Sequence, residues 1–126
     1  MPTGLPQIIR LDAAGESVAT ARGFVDDCLA RWGLTDQADD VQLIVGELVT
    51  NAIQHSRGPV TLAIGRRPDR IVVQVQDPSP EPPEQEPSDV LADSGRGLLL
   101  VESLAADWGT TPTPDGKRVW AEVPVS

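Results

Sequence analysis

Only one cysteine occurs in the 126 residues, Cys28. That excludes an internal disulfide and any multi-cysteine metal site, and it is compatible with a reducing compartment. His55 is the only histidine, which excludes a multi-histidine metal centre. Basic residues are few. Ten Lys and Arg against nineteen Asp and Glu leave a net charge of −9. Sequence-wide attraction to nucleic acid or to an anionic lipid surface is therefore not expected. No apolar run approaches the ~20 residues that a membrane-spanning helix needs. The N-terminus has no basic stretch leading into an apolar one, so no secretory signal is expected, and the cytoplasm is the expected location. Aromatic residues are scarce as well, with three Trp, one Phe and no Tyr.

What remains is the composition of a soluble globular protein, 40% apolar and 23% charged. The length suits one domain spanning 1–126, with a core of useful size. Gln7 to Asp12 reads as a strand and Ala13-Ala14-Gly15 as a turn. Val18, Ala21, Val25, Cys28, Leu29 and Trp32 recur at three- and four-residue spacing, the signature of an amphipathic helix, and Gly33 is placed to end it. Cys28 falls on the apolar stripe and reads as a small core residue. Thr35 or Asp36 is positioned to cap a second helix that runs to His55, with Asp39 and Asp40 suiting the dipole in its first turn. Val60 to Arg66 and Arg70 to Asp77 read as a hairpin about Arg67-Pro68-Asp69. A third helix is expected over Gly97 to Ala106, then a strand near Asp107 to Thr111. A turn at Pro114-Asp115-Gly116 leads to a last strand over Arg118 to Val123. Strands joined by short turns imply a mostly antiparallel, mixed sheet. Three helices can cover one of its faces, giving an α/β (α+β) two-layer sandwich.

Between the hairpin and the third helix lies the sharpest change in composition. Residues 78–94 hold five Pro and five acids, with no Gly and no cation. A loop of this length inside a small domain suits either a functional lid or a surface insertion.

Several side chains carry possible chemistry. Glu47 and Asn51 stand four residues apart in the second helix, hence on one face of it, beside apolar neighbours. Such a pair is costly to bury unless it has partners. The Asn carbonyl is a suitable oxygen ligand for Mg²⁺ and the Glu is a candidate base. A polar patch at a helix edge is the plainer alternative. Asp77 ends the apolar strand at the mouth of the long loop. It can accept a hydrogen bond from an amino group, or simply form the turn before Pro78. Gly95-Arg96-Gly97 precedes a helix, where free N–H groups suit phosphate, although two glycines at a helix start are more often just a turn. Arg96 can add charge there or be an ordinary surface residue. His55 closes the second helix, with or without a chemical role.

Together these strings resemble a known superfamily. Glu47-x-x-x-Asn51-Ala52 resembles the N-box of the GHKL ATPases, which include gyrase, mismatch-repair and histidine-kinase ATP-binding domains. Asp77 falls where their first glycine box begins, and Ser94-Gly95-Arg96-Gly97-Leu98 resembles the second. The run Glu47 to His55 and the short length most resemble the bacterial anti-sigma-factor serine/threonine kinases, especially small actinobacterial ones. The resemblance implies the Bergerat ATP-binding fold, a histidine-kinase-like ATP-binding domain over 1–126, and an ATP lid at 78–94. It implies ATP and Mg²⁺ as ligands, with Asn51 on the metal and Glu47 as general base toward a serine hydroxyl or water. Asp77 would read the adenine amino group, and Gly95, Arg96 and Gly97 would lie at the phosphates. The implied partners are a sigma factor and an anti-sigma antagonist protein, and the relatives are often homodimers.

Two stretches depart from the family pattern. The first glycine box reads Asp77-Pro78-Ser79-Pro80-Glu81, without glycine, and Pro78 and Pro80 stiffen it. Lys117 and Arg118 stand in the region where relatives often carry a Thr that supports the adenine-reading Asp. Two functions are therefore expected to compete: a Mg-ATP-dependent kinase acting on an antagonist, and a non-catalytic binding module with weak or lost nucleotide affinity. In the second, the acidic surface would recognise a basic partner.

Overall fold

The computed structural model describes residues 6–55, 58–78 and 101–125. Two α-helices and five strands are bounded in it, besides one short 3₁₀ turn. In chain order they are β1 (Gln7–Leu11), α1 (Ser17–Trp32), α2 (Ala38–His55), β2 (Val60–Arg67), β3 (Arg70–Asp77), β4 (Asp107–Thr113) and β5 (Gly116–Pro124). Residues 101–104 are also helical. The strands form a five-stranded sheet in the order β1-β2-β3-β5-β4, and every neighbouring pair is antiparallel.

Alternation decides which side of each strand faces inward. On β2 Val60, Leu62 and Ile64 are fully buried, and on β3 Ile71, Val73 and Val75 are. Val119, Ala121 and Val123 of β5 complete this inner face. The register sets Val73 against Ile64 on one side and Ala121 on the other, so apolar rows run unbroken across the sheet. Each such side chain contributes about 1.5–3 kcal/mol of burial.

The helices bring the matching stripes. Ala21, Val25, Cys28 and Leu29 of α1 are buried, as are Val41, Ile44, Val45, Leu48, Val49 and Ala52 of α2. Val101 joins the same core and Leu104 packs against it, so the helical residues 101–104 share that layer. The expected two-layer sandwich is thus the architecture found. Cys28 is the small core residue its spacing implied.

Local stereochemistry explains the boundaries. Gly33 has φ +68° and closes α1, its N–H and that of Leu34 returning to the carbonyls of Ala30 and Leu29. Ser17 Oγ donates to the Asp12 carbonyl across the Ala13–Gly15 turn. Thr35–Gln37 forms a single 3₁₀ turn, so α2 begins at Ala38 rather than at the expected cap, with Asp39 and Asp40 in its first turn. The third helix gives way after residue 104, where the Ala106 N–H bonds to the Glu122 carbonyl of β5 instead of continuing the helix. The expected start at Gly97 lies outside the described residues.

On the outer face Trp120 of β5 lies across Gly109 of β4. A Cβ at position 109 would come within 2.7 Å of the indole. Glycine there makes room for the ring.

Candidate functional site

The end of β3 and the start of β5 meet at one end of the sheet, and Gly58, which follows α2, lies beside them. Antiparallel pairing produces that meeting. β3 ends at Asp77 where β5 begins, and Asp77 pairs in register with Lys117. The chain leaving α2 passes the same corner, for a Cβ on Gly58 would lie 3.1 Å from Pro78 Cγ. Gly116 is packed still more closely. A Cβ there would collide with the Asp77 carbonyl oxygen and lie 2.7 Å from Pro78 Cα. Glycine at 116 is therefore what allows the β4–β5 turn to sit against the Asp77–Pro78 backbone.

Glu47 and Asn51 occupy one face of the last three turns of α2, a helix that packs against β2, β3 and β5. Asn51 is buried, with 7% exposure, and Glu47 is half-buried. Leu48, Val49 and Ala52 anchor the same turns in the core, so the two polar groups ride on a rigid element. His55 closes the helix. Its Nε2 is buried and makes no hydrogen bond.

Asp77 is the most enclosed acid among the described residues, at 2% exposure. Its Oδ1 accepts a hydrogen bond from Lys117 Nζ at 3.2 Å, and the two side chains are 1% and 4% exposed. This is a buried ion pair 40 residues apart in sequence. Reading the residues alone placed Asp77 at the site but noted Lys117 only as a departure. A signal was present: Lys117 precedes Val119, Ala121 and Val123 by steps of two, which puts it on the buried face. It is also the only lysine in the chain.

A second charge cluster lies at the opposite end of β3. Arg70 bridges Asp69 and Glu122 there. The hydrogen bond from Arg70 holds the Asp69 carboxyl below the ordinary aspartate value, and Asp69 and Glu122 together push the Arg70 guanidinium up. These groups tie the start of β3 to β5.

The donor set suits Mg²⁺ with phosphates better than a protein-only metal centre. No group of three or more His, Cys, Asp or Glu converges among the described residues. Asn51 offers one hard oxygen, which suits Mg²⁺ when phosphates and water supply the rest. Gly95, Arg96, Gly97 and the segment 79–94 of the expected lid lie outside the described residues. No helix among the described residues is long and apolar enough to cross a membrane.

Comparison with known proteins bears on the family of the chain. Residues 11–123 match the family model described as a histidine kinase-like ATPase domain. The chain is also similar to the serine-protein kinase RsbW of Oceanobacillus iheyensis, 27% identical over 118 residues, covering 79% of this chain and 74% of that protein.

Proposed function

Because the chain belongs to the histidine kinase-like ATPase domain family, we propose that it binds Mg-ATP and transfers the γ-phosphate to a serine of an anti-sigma antagonist protein, while its other partner is a sigma factor. The similarity to a serine-protein kinase supports the reaction class. The observation that carries the reading is the placement of Glu47 and Asn51 on the last turns of α2, an element whose exit packs beside Asp77–Pro78. In this reading the Asn51 carbonyl oxygen is the protein ligand that orients Mg²⁺, and the metal neutralises phosphate charge. Glu47, half-exposed to an incoming hydroxyl, accepts its proton. Asp77 accepts a hydrogen bond from the adenine amino group, and Gly95, Arg96 and Gly97 lie at the phosphates. Catalysis is then mostly positioning and charge stabilisation on a rigid helix.

Calorimetry with Mg-ATP on the wild type and on Asn51→Ala tests binding. The wild type is expected to bind, and the variant to bind at least tenfold more weakly. No wild-type binding at millimolar nucleotide would sink the proposal. Glu47→Gln separates the steps: it should keep nucleotide affinity and lower transfer to an antagonist by about 10²- to 10⁴-fold.

A second reading, a binding module with weak nucleotide affinity, is favoured by the Asp77–Lys117 pair and by the glycine-free run from Asp77 to Glu81. Its mark would be partner binding that is indifferent to Mg-ATP.

A further inference from the structure

We infer that Lys117 is an internal competitor for the base-reading carboxylate: the Asp77–Lys117 pair must open before Asp77 can accept a hydrogen bond from a nucleobase. The inference rests on the proposal that Asp77 reads the base, and it assigns Lys117 the role of setting that affinity.

Three observations carry it. Lys117 Nζ already donates to Asp77 Oδ1 at 3.2 Å. Both side chains are almost wholly enclosed, at 4% and 1% exposure, so a base cannot reach the carboxylate without displacing what covers it. The register of β3 and β5 holds the two Cα positions directly opposite one another, and Gly116 locks the β5 end against the Asp77–Pro78 backbone. The strand register therefore holds the ammonium at the carboxylate. An exocyclic amino group is a neutral donor. It would replace a cationic donor in a shielded place, where the ammonium–carboxylate bond, ionised on both sides, is the stronger of the two. Base recognition is consequently weakened by about the worth of one charge-assisted hydrogen bond, roughly tenfold in affinity. Phosphate contacts, which do not involve Asp77, are untouched.

The test is calorimetric titration of the full chain with Mg-ATP and, as a probe lacking a base, with magnesium tripolyphosphate. Lys117→Met should bind Mg-ATP about tenfold more tightly than wild type and tripolyphosphate equally well. Lys117→Arg, which keeps the charge and can grip the carboxylate with two N–H groups, should bind Mg-ATP no more tightly than wild type. In the Asp77→Asn background, Lys117→Met should bring no gain, since the carboxylate it frees is absent. Circular dichroism at 10 °C verifies that each variant is folded. If Lys117→Met does not fold, Lys117→Thr takes its place with the same expectation, and the Arg variant supplies the opposite sign. Wild-type Mg-ATP binding with no gain in Lys117→Met, or with a loss, overturns this inference and leaves the nucleotide proposal standing. So does an equal gain for tripolyphosphate. Absence of Mg-ATP binding in wild type and every Lys117 variant overturns both.

Discussion

Removing the Asp77 carboxylate should unfold this protein at a much lower temperature, and the size of the effect follows from the burial of its partner. Asp77→Ala leaves the Lys117 ammonium without that carboxylate, at a position where its side chain is 4% exposed. Breaking one partner of a buried ion pair typically costs about 3–5 kcal/mol. In a chain of this length 1 kcal/mol corresponds to roughly 3–6 °C in Tm, so the midpoint should fall by about 10–30 °C. Lys117→Met should cost a similar amount, because it leaves the carboxylate in the same enclosure. The double variant Asp77→Leu with Lys117→Met should recover most of the loss, since apolar side chains of similar volume often match or exceed a buried pair in stability. Urea and thermal denaturation of wild type, Asp77→Leu, Lys117→Met and the double variant form a double-mutant cycle, and its coupling energy should exceed about 2 kcal/mol. A loss below about 1 kcal/mol for Asp77→Ala, the range of solvent-exposed pairs, would refute the claim that the pair is buried. So would a double variant no more stable than either single one.

Other outcomes follow from the same geometry. Gly116→Ala should be among the most damaging glycine substitutions, because its methyl group meets backbone atoms of Asp77 and Pro78 that have nowhere to move. The measurement is soluble yield and Tm, and a Tm within 3 °C of wild type (roughly 1 kcal/mol or less) would contradict the close packing. Gly33→Ala should lower stability by about 1–2 kcal/mol by forcing a side chain into the left-handed region at φ +68°. Urea denaturation measures it, and a neutral result would place the α1 terminus in another conformation. The Asp69 carboxyl should titrate below the ordinary aspartate value in an NMR pH titration. Because its folded value is depressed, its small stabilising effect is present above the ordinary aspartate value and is lost as pH falls through the lower, folded one. The group is fully exposed, so 0.5 M salt should shrink the shift, and a titration at or above the ordinary value would refute the Arg70 contact.

The arrangement of charge explains why this corner of the sheet is open to two functional readings. Glu47 and Asn51 sit on a well-anchored helix and suit metal and phosphate chemistry. Asp77 sits in an equally rigid place, but with a cation already at its oxygen. A phosphate-side affinity that is intact and a base-side affinity that is reduced would give a protein whose nucleotide occupancy depends strongly on ATP concentration. A kinase can operate in that regime. A partner-binding module can also retain such a site without turnover.

Much of the fold was legible in the residues because the two hydrophobic periods differ. Steps of three and four along α1 and α2 and steps of two along β2, β3 and β5 are physically incompatible with one another's geometry. The helix turn that sets Glu47 beside Asn51 is likewise a local fact, as is Gly33, which can adopt a positive φ without penalty. The 3₁₀ turn at Thr35–Gln37 and the early end of the third helix were not legible, because both depend on which hydrogen-bond partner the fold presents. The Asp77–Lys117 contact belongs to the same class. Alternation places each residue on the inner face of its own strand, but only the β3–β5 register brings them together across 40 positions. The sequence by itself thus determined most of the elements, the inward faces and the setting of Glu47 and Asn51 on one face of α2. Tertiary structure alone decided that the chain's only lysine meets the acid at the end of β3. The pairing of strands distant in sequence is a choice among registers that no single strand can make.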